Sequence, residues 1–339
     1  MKKRTVYLLS IAIILLCLAN VFLLVWNLRG RELFGGTHGK SEDSQCVNVL
    51  IVGDSIGAGD CIDNAQAKWD LQLQQWLESE YHVTCRMTNV SMGGNSSYAG
   101  YGRVAALQDG VDYDLAILCY GQNDAPDSFQ ENYESIIVAL RDKYPGIKLI
   151  SILESAQLEY TDKMKTIQKL CAYYDIPVAD TIAAFEQSGY AYEDLTVDGT
   201  HPNQIGAGIY FDVVSDIIRK EIDKEISSAW TYDVKNADYF PVEDFKRVDD
   251  CTWKVKCGPL KGRIGLYRYY AEGSHKIIVR LDDRQELVEE SAWGYEFKQA
   301  HFYEMSSDTY EIQESITVVF DSKESADDFL GLLVTDVKK

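Results

Sequence analysis

The apolar positions between residues 47 and 226 follow two alternating periods. The apolar runs at 47–52 and 115–120 are typical of buried parallel strands, and further strands are predicted at 83–87, 147–153 and 177–179. Between them, apolar residues recur at helical spacing: at Trp69, Leu73, Trp76 and Leu77, at Ile136, Ile137 and Leu140, and over 161–174 and 204–226. Strands that alternate with helices imply a parallel sheet with right-handed crossovers. The pattern therefore predicts an α/β fold, a three-layer α/β/α sandwich with a parallel sheet of about five strands.

The pattern changes after Ser227. Residues 277–281 and 315–320 predict strands, and the stretch 256–263 predicts turns. Over 323–333, apolar residues share one helical face, which predicts a short helix; they are Ala326, Phe329, Leu330 and Leu333. Residues 228–339 are expected to form a second, mainly β domain.

This second domain is rich in aromatic residues, at Tyr267, Tyr269, Tyr270, Trp293, Tyr295, Phe302 and Tyr303. Aromatic rings of this kind can stack on sugars, and they can equally fill the core of a small β domain. Glycan binding is a hypothesis for the domain, beside the commoner explanation of core packing.

The first residues differ in composition from all the rest. After Lys2, Lys3 and Arg4, residues 6–26 are almost entirely apolar and are long enough to cross a bilayer once as a helix. The preceding positive charges favour a cytoplasmic N-terminus, which would leave the remaining chain outside the cell. A cleaved signal peptide is the alternative. We expect a cytoplasmic stub and transmembrane anchor at 1–28, a linker at 29–45 and an α/β domain at 46–227.

The net charge restricts the classes of binding partner, and the cysteines indicate which disulfide bonds could form. The formal net charge of −20 argues against a nucleic-acid partner, because nucleic acids are held by clustered Lys and Arg. Of the 8 cysteines, Cys251 and Cys257 flank a short segment and can close a hairpin disulfide. Cys46 and Cys85 are a second candidate pair, and Cys119 is expected to be a free buried thiol. The sequence leaves the connectivity open.

A serine stands where the first predicted strand ends. Gly53, Asp54 and Ser55 directly follow the apolar run 47–52. Ligands of open α/β sheets bind beyond the carboxyl ends of the strands, so Ser55 is expected to face a crevice. A hydroxyl is a weak nucleophile, and such a role requires a base, an orienting carboxylate and an oxyanion hole.

The candidate base is His201, which lies in a polar turn ahead of the helix predicted at 204–226. Asp198, three residues earlier, can accept a hydrogen bond from one ring nitrogen and leave the other for the serine. A capped turn with a surface histidine is the alternative for this segment alone. Asp198 and His201 could also be metal ligands, but the sequence shows no third or fourth ligand at a suitable spacing, so no metal is predicted.

Donors for a developing oxyanion are expected from two further segments. The adjacent glycines Gly93 and Gly94 let backbone N–H groups approach a ligand closely. Asn123 follows the apolar run 115–120 and offers a side-chain amide. The loop that begins at Gly53 lacks the Gly-Lys-Ser/Thr of a phosphate-binding loop, which argues against nucleotide binding.

Taken together and in this order, these segments resemble the SGNH hydrolases, the GDSL-type esterase and lipase family. Ser55 matches the nucleophile of the Gly-Asp-Ser block, Gly94 the glycine of the second block, and Asn123 the asparagine of the Gly-x-Asn-Asp block. Asp198 and His201 match the Asp-x-x-His block. Gly94 is preferred to Gly93 because it lies five residues after Asn89. The resemblance covers about residues 47–226. It implies an SGNH, flavodoxin-like sandwich and a Ser-His-Asp mechanism with an oxyanion hole of Ser55 N–H, Gly94 N–H and the Asn123 amide, without metal or cofactor.

The sequence as a whole therefore predicts a single-pass, membrane-anchored, extracellular serine esterase. The expected substrate is a small acyl ester, foremost an O-acetyl group on a glycan. Two alternatives stay open: an O-acyltransferase of a surface glycan that uses the same triad, and a non-catalytic glycan-binding surface protein.

Overall fold

The computed structural model describes residues 46–221, 236–293 and 298–337. The first part contains one five-stranded sheet of β1 (Cys46–Gly53), β2 (Thr84–Asn89), β3 (Leu115–Cys119), β4 (Lys148–Leu153) and β5 (Val178–Asp180). Its strand order is β2-β1-β3-β4-β5, and every neighbouring pair is parallel. The predicted parallel sheet of about five strands is confirmed.

Helices cover both faces of this sheet. They are α1 (Trp69–Tyr81), α2 (Ser97–Ala106), α3 (Pro126–Lys143), α4 (Asp162–Tyr174), α5 (Thr181–Gln187) and α6 (Gln204–Glu221). Successive residues of β1 point to opposite faces. Leu50 and Val52 pack with α2, α3 and α4, whereas Val49 and Ile51 pack with α1 and α6. The two cores on either side of the sheet confirm the three-layer α/β/α sandwich.

The second part is a β sandwich, which confirms the mainly β character expected there. One sheet has the order β11-β10-β14-β8-β7, and the other has the order β12-β9-β15-β6, with β13 beside β9. The strands are β6 (Asn236–Pro241), β7 (Lys246–Asp249), β8 (Thr252–Lys256), β9 (Leu260–Tyr270), β10 (Gly273–Leu281), β11 (Gln285–Trp293), β12 (Gln299–Glu304), β13 (Tyr310–Ile312), β14 (Ser315–Phe320) and β15 (Phe329–Val337). One apolar core joins the two sheets, and it includes Ile277 and Val279 from the first and Ile264 and Leu332 from the second.

Two local predictions in this part were wrong. Only Lys323–Asp327 is helical (α7), and the remainder of the predicted helix belongs to β15. There Leu332 pairs with Phe240 of β6 on one side and with Leu266 of β9 on the other. A short apolar run buried between two strands has no periodicity that distinguishes it from a helix. The predicted turn region 256–263 is shorter than expected, because β9 already begins at Leu260.

The predicted hairpin disulfide was also wrong. All seven cysteines that the structure describes are free, including Cys251, Cys257, Cys46 and Cys85. Cys251 and Cys257 lie at opposite ends of the extended strand β8. At about 3.3 Å per residue, their Cα atoms are about 20 Å apart, and a disulfide needs less than about 7 Å. Cys119 is buried and free, as expected.

The predicted transmembrane segment at 6–26 lies outside the described residues and stays a prediction. Within the part of the chain that the structure describes, no helix combines the length and the apolar character needed to span a bilayer.

The β sandwich packs directly on helix α2. Tyr98 and Ala99 of α2 form a small buried core with Phe302 of β12 and Leu333 of β15. A Cβ atom at Gly102 would lie 2.6 Å from Cγ of Phe302, so glycine is required for this close approach. The sandwich is thereby held beside the loop that precedes α2, which contains Gly94.

Candidate active site

Ser55 lies in a turn that its own backbone and Asp54 hold in place. The Ile56 N–H donates to Asp54 Oδ1 at 2.9 Å, and the Asp60 N–H donates to the Ser55 carbonyl at 2.9 Å. The Trp69 indole donates to the Ile56 carbonyl at 3.2 Å. The turn therefore presents a mostly buried Ser55 side chain beyond the carboxyl end of β1, as the sequence predicted.

The loop before α6 brings His201 to this serine. His201 Nε2 lies 2.9 Å from Ser55 Oγ, and His201 Nδ1 lies 2.7 Å from Asp198 Oδ2. An ionised carboxylate only accepts hydrogen bonds, so Nδ1 carries the proton and Nε2 is left to accept the Ser55 hydroxyl proton. The structure thus joins the three residues singled out from the sequence in one hydrogen-bonded chain.

Asp198 is held in its ionised form. Its Oδ1 accepts the backbone N–H groups of His201 at 2.8 Å and Thr200 at 3.0 Å. These bonds, with the His201 side-chain bond, lower the pKa of Asp198 to about 2. The carboxylate is therefore available to orient the imidazole throughout the neutral range.

The second glycine-containing loop packs against the serine turn. The Met92 N–H donates to the Gly53 carbonyl at 3.1 Å, and a Cβ atom at Gly93 would lie 3.8 Å from Ser55 Cβ. Gly94 adopts a φ of +73°, a conformation that favours glycine. The loop is thus in place to offer backbone N–H groups beside Ser55.

Asn123 lies beyond the carboxyl end of β3 and also contacts the serine turn. Its Nδ2 donates to Asp54 Oδ2 at 3.2 Å and to the Asn95 carbonyl at 3.1 Å. The amide therefore lies between the serine turn and the glycine loop, where an oxyanion donor is needed.

We expect Asn123→Ala to lower kcat for a short-chain aryl ester by about 10² to 10³, because one preorganised oxyanion donor is lost. Steady-state kinetics on the folded variant measure the effect. Asn64→Ala, which alters an exposed amide remote from Asn123 in the chain, is the control and should retain activity. An unchanged kcat in Asn123→Ala would remove Asn123 from the site.

A set of buried groups behind the site was missed from the sequence. Asp54, Glu154 and Cys119 are fully buried. A carboxyl oxygen of Asp54, a carboxyl oxygen of Glu154 and the Cys119 Sγ atom all lie within 4.8 Å of one another. Asp124 accepts hydrogen bonds from the Ser97 N–H at 2.8 Å and from the Ser97 hydroxyl. Glu154 directly follows the predicted strand 147–153, and its position at the carboxyl end of that strand is the one sequence signal that could have pointed to it.

The structure also corrects the statement that Asp198 and His201 lack a third ligand-type neighbour. Ligand-type atoms of Cys61, Asp198 and His201 all lie within 4.8 Å of one another. Asp198 and His201 already hydrogen-bond each other, and His201 contacts Ser55. We therefore interpret these two side chains as a proton-transfer chain.

A cavity of about 380 Å³ adjoins the site and is walled by both parts of the protein. Its lining comprises Gly94, Asn95, Ser96, Tyr98, Ala99, Asn123, Asp124, Ala125, Ser128 and Asn132 from the α/β part, and Tyr270, His301, Phe302, Tyr303 and Glu304 from the sandwich. Burial, with the nearby Arg103 charge, lowers the pKa of His301 to about 4. His301 is therefore a neutral ring in the cavity wall at neutral pH.

Known proteins share both the sequence and the fold of the first part of the chain. The sequence model of the GDSL-like Lipase/Acylhydrolase family matches residues 51–209. This domain belongs to the GDSL family. The resemblance seen in the sequence blocks is confirmed, and the GDSL domain makes the chain an ester-hydrolysing enzyme. No curated protein sequence matches the chain.

Two solved structures share the fold over most of this chain, including the sandwich. A two-domain esterase active on acetylated mannans, co-crystallised with mannopentaose, has 13% identity and a TM-score of 0.66, covering 86% of this chain and 92% of its own. A second structure of such an esterase has 15% identity and a TM-score of 0.65, covering 87% and 92%. An acetylxylan esterase from Geobacillus stearothermophilus has 16% identity and a TM-score of 0.45, covering 56% and 100%. At these identities the likeness concerns the fold alone.

Proposed function

We propose that this GDSL enzyme removes O-acetyl groups from a carbohydrate, and that the cavity between its two parts binds the sugar. The observation that carries the proposal is the position of the cavity, which touches both Gly94 and Asn123 and is closed by aromatic residues of the sandwich. A ligand in the cavity would place an ester beside Ser55.

The chemistry of the cavity lining favours a ligand with many hydroxyl groups. Asn95 is almost fully buried, and neither polar atom of its side chain has a hydrogen-bond partner within the described structure. Asp124 Oδ2 is likewise buried without a partner there. Buried polar atoms are costly unless they are hydrogen-bonded, so a polar ligand would supply the missing bonds. Tyr270 and Tyr303 add aromatic surface on which a sugar ring can pack.

The hydrogen-bonded chain of Ser55, His201 and Asp198 accounts for the proposed reaction. Ser55 Oγ attacks the acetyl carbonyl while His201 Nε2 accepts its proton, and Asp198 stabilises the resulting imidazolium. The developing oxyanion is bound by the Ser55 and Gly94 N–H groups and the Asn123 amide. His201 returns the proton to the departing sugar oxygen, and water then releases acetate by the reverse sequence.

The fold neighbours lend support of a limited kind. The two-domain esterase that is similar over both parts of this chain is active on acetylated mannans. We extend the carbohydrate class from that protein to this one as part of the proposal. The membrane anchor and the extracellular location stay part of the proposal too, since they depend on residues 6–26.

The decisive experiment is acetate release from acetylated mannan and acetylated xylan, with an aryl acetate as the reference substrate. We expect Tyr303→Ala to lower kcat/KM by about two- to tenfold on the glycan that the wild type deacetylates, since an aromatic contact contributes about 0.5–1.5 kcal/mol. Turnover of the aryl acetate should change little.

Tyr269→Ala is the matched control, because Tyr269 is similarly exposed, at 40% against 43% for Tyr303, but does not line the cavity. It should leave both activities intact. An enzyme that cleaves the aryl acetate and releases no acetate from either glycan would overturn the proposed substrate for these polymers. Acetyl transfer to an added sugar in place of acetate release would favour the acyltransferase.

A further inference from the structure

Two buried carboxyl groups lie directly behind the serine turn. Asp54 follows β1 and Glu154 follows β4, and both are completely inaccessible to solvent. Neither forms an ion pair with a Lys or Arg in the described part of the chain. A carboxyl oxygen of Asp54 lies within 4.8 Å of one of Glu154. Two ionised carboxylates at this distance, without a cation beside them in a buried site, repel each other strongly.

Hydrogen bonds connect this carboxyl pair to both halves of the candidate active site. Asp54 accepts from the Ile56 N–H at 2.9 Å and from Asn123 Nδ2 at 3.2 Å. Glu154 Oε2 accepts from the Gln122 N–H at 2.8 Å, next to Asn123 in the chain. The pair therefore joins the turn of the nucleophile to the segment of the oxyanion donor.

The surroundings determine how many protons the pair holds. Burial raises the pKa of both groups, and the neighbouring Asp54 charge raises that of Glu154 further. Two carboxylates this close cannot both ionise readily, so the pair shares one proton at neutral pH, and the further rise in the pKa of Glu154 favours that residue as its site. Asp54 remains the acceptor for the Asn123 amide.

The Asn123 amide has two N–H bonds, and both have acceptors. One is held by the Asp54 carboxylate, and the other by the neutral Asn95 carbonyl at 3.1 Å. An oxyanion is a stronger acceptor than a neutral carbonyl. It can therefore draw the second N–H away while the first keeps the amide in its orientation.

We propose that Glu154 is a positioning residue for ester hydrolysis: as a neutral acid it donates a hydrogen bond to Asp54, which in turn holds the Asn123 amide towards the oxyanion. The inference depends on ester hydrolysis and is independent of the sugar substrate.

Other ionisable groups surround the pair. They are Cys119 of β3, Tyr120 and Asp124 after it, Tyr133 of α3, Lys163 of α4, Tyr210 of α6, and His201. Burial raises the pKa of the thiol and of the three tyrosines well above their usual values, so these groups stay neutral. Asp124, Lys163 and His201 are present unchanged in every variant below.

Glu154→Gln and Glu154→Leu in the full chain test the proposal. Gln is neutral at every pH and can still donate to Asp54, so kcat should change little at neutral pH. Leu removes the donor, and kcat should fall by about 10², approaching the loss of an oxyanion donor, with little change in KM. Glu134→Gln, at a carboxylate of α3 that accepts from Tyr174, is the matched control.

The protonation state has readouts that a merely structural role would not change. Infrared spectra at about pH 7 should show a protonated-carboxyl band in the wild type that is absent from Glu154→Gln. The native state retains a proton that an unfolded glutamate releases above about pH 4.3. The wild-type Tm should therefore fall relative to that of Glu154→Gln as pH rises above this value.

Activity against pH gives a further readout. The wild type should lose activity on the alkaline side as the pair loses its proton, and Glu154→Gln should not share that loss. The proposal would be overturned by any of three results. These are a wild-type kcat in folded Glu154→Leu, a protonated-carboxyl band in Glu154→Gln equal to that of the wild type, or a loss of activity at alkaline pH in Glu154→Gln equal to that of the wild type. None of these outcomes depends on which glycan is cleaved.

Discussion

Ser55→Ala is expected to lower kcat for a short-chain aryl ester by about 10⁶-fold, the scale seen when a triad nucleophile is removed. The Ser55 Oγ lies 2.9 Å from His201 Nε2, and without this atom no acyl-enzyme can form. The fold should persist, because the turn is held by the side chain of Asp54 and by backbone bonds. Single-turnover kinetics with circular dichroism measure both effects.

Ser91→Ala is the control for this variant. Ser91 is a neighbouring serine whose Oγ lies close to Gly53 and Gly57, and it has no place in the chain of Ser55, His201 and Asp198. It should retain activity. Covalent labelling of the wild type by a serine-directed phosphonate at a residue other than Ser55 would contradict the assignment of the nucleophile.

Asp198→Asn should lower kcat by about 10⁴-fold, with the fold intact. Asp198 Oδ2 accepts from His201 Nδ1 at 2.7 Å, and this bond sets the tautomer that leaves Nε2 free to act as the base. An amide can instead donate to the ring and favour the wrong tautomer. Since the pKa of Asp198 is about 2, the wild-type residue is ionised at any ordinary assay pH.

The matched control is Asp194→Asn, at an exposed carboxylate that precedes Asp198 in the same connection between α5 and α6. Its kcat should equal that of the wild type. If Asp198→Asn and Asp194→Asn have the same kcat, Asp198 does not orient the base.

Much of the α/β architecture was predictable because its signals are local. The continuous apolar run of β1 and the helical spacing of Trp69, Leu73 and Leu77 each depend on neighbours within one element. Helix α2 was not predicted, because its sequence is determined by contacts with residues distant in the chain. Its glycines Gly100 and Gly102 weaken any helical signal, and they are needed because Tyr120 and Phe302 pack against them.

The error at 323–333 has a tertiary cause as well. Phe329, Leu330 and Leu333 fit one face of a helix in sequence, yet β6 and β9 supply hydrogen-bonding partners on both sides of this segment. Partners that are distant in sequence decided between strand and helix.

The sequence by itself determined the five strands and most of the helices of the GDSL domain, and the blocks that contain Ser55, Asn123 and His201, because strand ends and turns are encoded by adjacent residues. Only the tertiary structure placed Glu154 behind Asp54 and closed the cavity beside Gly94 with His301 and its neighbours. These contacts join residues about a hundred or more positions apart, and they arise from sheet order and from the packing of the sandwich on α2. Such contacts produce no periodicity in the sequence, because the local pattern of apolar and polar residues around each of the two residues does not depend on the contact between them.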